Sequence, residues 1–105
     1  MKFKLFESKA KAKEVLANNQ PRLVRAGSKE ICIVLSSETI FAFQNECAHM
    51  GERLHGGKIN YLNEIVCPLH TYRFNIKTGE EAQGRCNSLK TYLVIESDEG
   101  IFIDC

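Results

Sequence analysis

Over the first five positions, apolar and charged residues alternate, with Phe3 and Leu5 set against Lys2 and Lys4. That period of two predicts a half-buried strand. The pattern changes at Ser8. Residues 8–19, SKAKAKEVLANN, are rich in Ala, Lys and Glu, with Ser8 placed to cap a start and Asn18-Asn19 to mark a stop. They predict one short helix near the N-terminus with a thin apolar stripe. Pro21 follows and biases Gln20 towards an extended conformation. From there the pattern is that of strands. Leu23-Val24 opens a short one. The unbroken apolar run at 31–35 predicts a strand covered on both faces, Ser36-Ser37-Glu38 a turn, and 39–43 the returning strand. Two very short strands surround Asn63, between Ile59 and Val66, and Thr78-Gly79 marks another turn. Leu93-Val94-Ile95, the turn Asp98-Glu99-Gly100 and Ile101-Phe102-Ile103 make a closing hairpin. Many short strands at close spacing predict an all-β fold, an antiparallel sandwich or barrel. The chain carries no internal repeat, low-complexity tract or linker.

The alternation fails between Asn45 and Gly57. That stretch is polar and glycine-rich, and it holds Cys47 and His49. Cys67, Pro68, Leu69 and His70 begin where Glu64-Ile65-Val66 ends. Each Cys-His pair therefore falls on a loop at a strand end, where a rigid sheet can present a site.

Length and charge narrow the classes. At 105 residues the chain is read as a single domain, 1–105, with room for one modest core. A net charge of +1, from 14 basic and 13 acidic residues, gives no electrostatic case for nucleic acid. No apolar run nears the roughly 20 residues of a membrane helix, so no membrane partner is expected. Met1-Lys2-Phe3-Lys4 resembles the basic end of a signal peptide, but Lys9, Lys11 and Lys13 interrupt the region that should follow. The expectation is a cytoplasmic protein. Five cysteines is an odd count for a disulfide framework, and two of the three histidines stand beside cysteines. In a reducing compartment that points to metal.

A single zinc ion accepts a Cys2His2 set, but zinc fingers usually take both cysteines from one element and both histidines from another. Here each loop brings one of each, which suits a two-iron cluster with unlike irons. Gly51, Gly56 and Gly57 permit tight turns and close backbone approach, and Pro68 stiffens the second loop.

C-x-H at Cys47-Ala48-His49, seventeen intervening residues, then C-x2-H at Cys67-Pro68-Leu69-His70 resembles the Rieske 2Fe–2S signature, as do the loop contexts CAHMGERL and CPLHTYRFNIKTG. The likeness runs over most of the chain after Pro21. It implies a Rieske-like antiparallel β-sandwich with a small cluster-binding subdomain, about 45–75, inserted between strands. It further implies one 2Fe–2S cluster per chain. Cys47 and Cys67 would hold the inner iron, and His49 and His70 the outer iron near the surface, since two histidines replace two cysteines on one iron of such a centre. The implied role is a one-electron ferredoxin between an NAD(P)H-dependent flavoprotein reductase and an oxygenase or other redox acceptor. No self-contained catalytic site stands out. Two alternatives are a small subunit of an assimilatory nitrite reductase and a zinc-stabilised binding module.

The chain departs from the family pattern in places. Ala48 stands where Pro is common, and Thr71 where Gly is common, although Thr does not take a positive φ cheaply. No proline follows Pro68, whereas Rieske ferredoxins usually carry a Pro-rich third loop near Arg85-Cys86-Asn87-Ser88. High-potential members have a disulfide between the loops and Ser and Tyr hydroxyls after the second histidine. The matching positions here are Glu52, Leu69, Tyr72 and Phe74, which predicts a potential at the low end of the Rieske range. Of the rest, Cys32 reads as core, Cys86 as a structural or incidental thiol in the third loop near the cluster, Cys105 as exposed and His55 as a surface loop residue. Arg53, Arg73 and Arg85 read as solvated charge or as a rim for an acidic partner.

Overall fold

The computed structural model describes residues 1–49, 51–69 and 71–105. Among the described residues nine strands and one α-helix follow in the order β1 (Lys2–Phe6), α1 (Lys9–Val15), β2 (Arg22–Ala26), β3 (Lys29–Ser36), β4 (Thr39–Gln44), β5 (Lys58–Ile59), β6 (Glu64–Val66), β7 (Arg73–Asn75), β8 (Thr91–Ser97) and β9 (Gly100–Asp104). All strand pairs are antiparallel. Six strands form one sheet in the order β1-β9-β8-β4-β3-β2, and β5-β6-β7 form a second. The expected antiparallel all-β fold, with a small sheet inserted between two strands of a larger one, is the one this chain adopts.

The helix starts as expected: the Ser8 hydroxyl accepts the Lys11 N–H at 3.1 Å. It ends earlier than Asn18, because Leu16 turns extended (φ −94°, ψ 112°) and is buried in the core. β7 and a single 3-10 turn at Leu54–Gly56 were not anticipated. The β3–β4 turn puts both Ser37 (φ 49°) and Glu38 (φ 71°) in the left-handed region, the twist that a two-residue hairpin demands, without the usual Asn-Gly.

β3 is apolar on both faces because each covers a separate core. Ile31, Ile33 and Leu35 pack with Ala12, Leu16, Ile101 and Ile103. Cys32 and Val34 pack the other way, with Phe43, Leu54, Ile65, Phe74, Ile76 and Leu89. The second core thus lies between the large sheet and the small one, and the loops leaving β4 and β6 cap it.

Candidate metal centre

Two loops with one backbone pattern stand over the second core. In the first, the Cys47 N–H donates to the Glu52 carbonyl (2.7 Å) and the Gly51 N–H to the Cys47 carbonyl (2.8 Å). In the second, the Cys67 N–H donates to the Tyr72 carbonyl (2.8 Å) and the Thr71 N–H to the Cys67 carbonyl (3.2 Å). The fourth residue after each cysteine is left-handed, Gly51 at φ 75° and Thr71 at φ 55°. The second loop therefore takes the conformation that Thr disfavours, and Thr71 gives no reason to expect another loop shape.

These turns bury both cysteines, Cys47 to 3% exposure and Cys67 to 1%, in the same apolar cluster as Phe43, Leu54, Ile65 and Phe74. His49 stands exposed beyond them. Its ring stacks on that of Tyr72, with centroids 4.0 Å apart and planes 11° from parallel. His70, expected as the fourth donor, lies outside the described residues, as does Met50.

The first loop is tied down behind Cys47. Asn45 is fully buried, and its side-chain oxygen accepts the His55 N–H at 2.9 Å. Its amide nitrogen is left facing His55 Nδ1 at 2.9 Å, so it donates there and the imidazole carries its proton on Nε2. His55 is thus a half-buried strut, not a surface histidine. Gly57 approaches the β6 backbone so closely that an added Cβ would lie 2.1 Å from the Val66 carbonyl oxygen. The close approach expected of the glycines is thus made, at Gly57, to the strand leading into the second loop.

A third segment reaches the site from 81–86. Glu81 pairs with Phe74 of β7 as an isolated bridge, and its carboxylate is buried. That carboxylate accepts Arg85 Nη2 (2.8 Å), Arg85 Nε (3.2 Å), and the backbone N–H of Arg85 (2.7 Å) and of Gln83 (3.2 Å). Where the family uses prolines to shape this loop, a buried carboxylate gathers it instead. The Arg85 side chain holds the Glu81 carboxyl down at about 2; burial opposes this, and the two backbone bonds assist. The Arg85 guanidinium carbon lies 3.8 Å from the Tyr72 ring centroid. The expected basic rim is largely compensated: Arg53 lies 3.6 Å from Glu30, Arg73 3.6 Å from Glu64 and Arg85 2.8 Å from Glu81.

The remaining thiols separate cleanly. Cys32 is core, and burial pushes it up to about 12, partly offset by a backbone bond at Arg22. Cys86 is half-buried against the second core, raised by burial and then by the Glu81 charge. Cys105 is half-buried against the first core and not exposed as expected. Sequence reasoning missed Asn45, Glu81 and the stacking role of Tyr72; each depends on a partner that only the fold brings near.

Residues 7–93 match the Rieske [2Fe-2S] domain, and the chain belongs to that family. It is 35% identical over 72 residues to the ferredoxin component of the naphthalene 1,2-dioxygenase/salicylate 5-hydroxylase systems of Ralstonia sp, covering 68% of each chain. The ferredoxin of carbazole 1,9a-dioxygenase from Nocardioides aromaticivorans IC177 superposes with a TM-score of 0.78 at 26% identity, over 86% of this chain and 88% of that one. A chain from a complex of reduced oxygenase and oxidized ferredoxin in carbazole 1,9a-dioxygenase superposes at 0.81 over 97% of this chain and 100% of that one; at 21% identity this speaks to the fold alone.

A Rieske domain implies a 2Fe–2S cluster. The residues present fit one: two thiols at matched positions of two matched turns, buried in one apolar cluster, with an exposed imidazole beyond them.

Proposed function

We propose that this chain is a one-electron carrier whose cluster is held by Cys47 and Cys67 on the inner iron and by His49 and His70 on the outer iron. The matched backbone pattern of the two cysteine turns carries this reading, because it offers two equivalent thiols to one group. When bound, the cluster supplies a single one-electron couple. The apolar packing around Cys47 and Cys67 keeps water from the sulfurs. The exposed His49 gives the electron a short way out, and Leu69, 64% exposed, places an apolar contact on the same pair of loops.

The donor in this reading is an NAD(P)H-dependent flavoprotein reductase, the acceptor an oxygenase or similar protein, and the setting the cytoplasm. The whole chain, 1–105, acts as one domain, with residues from about 45 to 75 carrying the cluster. The roles of relatives as ferredoxin components of dioxygenase systems support the acceptor.

Metal and sulfide analysis tests the proposal: two irons and two sulfides per chain are expected, whereas stoichiometric zinc without iron overturns it. Cys47→Ser and Cys67→Ser should lose the cluster, because metal binding and folding are coupled. Cys32→Ser, Cys86→Ser and Cys105→Ser should keep it.

A further inference from the structure

Three planar groups from three separate loops meet in one stack. His49, from the first cysteine loop, lies on Tyr72, from the second, at 4.0 Å and 11°. Arg85, from the third segment, lies on Tyr72 at 3.8 Å. Each sits close to the ring centroid, and two planar groups at van der Waals distance cannot share one ring face. Tyr72 is therefore held between them. Arg85 has its own anchor in the Glu81 carboxylate, which is buried and bridged to β7. A chain of contacts thus runs from the core of the small sheet, through Glu81, Arg85 and Tyr72, to the imidazole of His49.

A histidine ring held only by its bond to a metal keeps freedom about its terminal torsion, which is broad when nothing packs against it. A stacked aromatic removes that freedom, and a guanidinium on the far face keeps the aromatic in place through cation–π attraction. The two ion-pair partners are close and opposite in charge, so the assembly holds geometry without adding much net field.

We propose that Tyr72 and Arg85 are positioning residues that set the plane of the His49 imidazole on the outer iron and clasp the three loops around the cluster. This rests on His49 being an iron ligand. The clasp does the work that proline and inter-loop disulfides are expected to do in other members, by stacking three side chains.

The test is pulsed electron paramagnetic resonance of the reduced holoprotein, reading the nitrogen couplings of the histidine ligands. Wild type should show two well-defined histidine couplings. Tyr72→Leu and Arg85→Ala should shift and broaden one of the two, because the His49 ring plane is released. Tyr72→Phe, which keeps the ring face, should restore the wild-type spectrum. Arg85→Ala removes the side-chain partner of the buried Glu81 carboxylate, so circular dichroism checks that the variant is folded; Tyr72→Leu leaves that pair in place and keeps the test decisive. Wild-type couplings that show no histidine on iron overturn the ligand assignment itself. Two wild-type couplings that stay unchanged in both variants overturn the clasp alone.

Discussion

Gly51 and Thr71 occupy the same place in two loops: each is fourth after a cysteine, left-handed, and donates its N–H to that cysteine's carbonyl. The side chains differ but the turn does not. At Gly51 nothing lies within 4 Å of an added Cβ, so the cost of substitution there is conformational. Gly51→Ala should destabilise the protein by about 1 kcal/mol, the left-handed penalty less the entropy that Ala removes from the unfolded chain. Denaturant unfolding checks this.

Glu81 makes acid stability predictable. Its folded value of about 2 lies below its ordinary 4.5, chiefly through the Arg85 bonds. A depressed carboxyl contributes stability that is complete above about 4.5 and is lost as pH falls towards 2. Glu81→Gln should lower stability at neutral pH and flatten the acid dependence across that window. Unfolding curves of both proteins at several pH values measure it.

Asn45 should matter out of proportion to its size. Asn45→Leu removes both side-chain bonds to His55 and leaves a partly buried N–H without its acceptor. The expected loss is about 1–3 kcal/mol, with faster iron release from the loosened first loop, followed by absorbance under chelator.

Hydrogen bonds to cluster and cysteine sulfur stabilise the reduced, more negative state. Phe74 is buried and has no hydroxyl, the Tyr72 ring is committed to stacking on His49, and Glu52 and Leu69 stand where a loop disulfide would need cysteines. The midpoint potential should fall at the low end of the range for Rieske centres, about −150 mV. Voltammetry giving a clearly positive value near neutral pH would contradict this.

The hairpins β3–β4 and β8–β9 were readable because short apolar runs bounded by turn residues are local signals. Cys47, His49 and Cys67 were singled out by their spacing, a local signal, and the fold buries both cysteines in matched turns with His49 exposed. β7 was not, because its three residues continue the second cysteine loop without a break in pattern. The third segment was not, because the absence of proline says what a loop lacks and not what shapes it. Glu81 looks like any surface carboxylate until Phe74 pairs with it and Arg85 folds over it. The His49–Tyr72 stack joins residues 23 apart in sequence, a relation that no periodicity announces.

β3 is a party wall. Ile31, Ile33 and Leu35 belong to one side and Cys32 and Val34 to the other, so neither core can take in water while that backbone stays rigid. Keeping the metal is thereby made a duty of the whole molecule. Damage at Ala12 or Leu16, on the far side of the wall, would reach the cysteine loops as a shorter cofactor lifetime. The colour of the protein would then fade with its melting, in a single cooperative event.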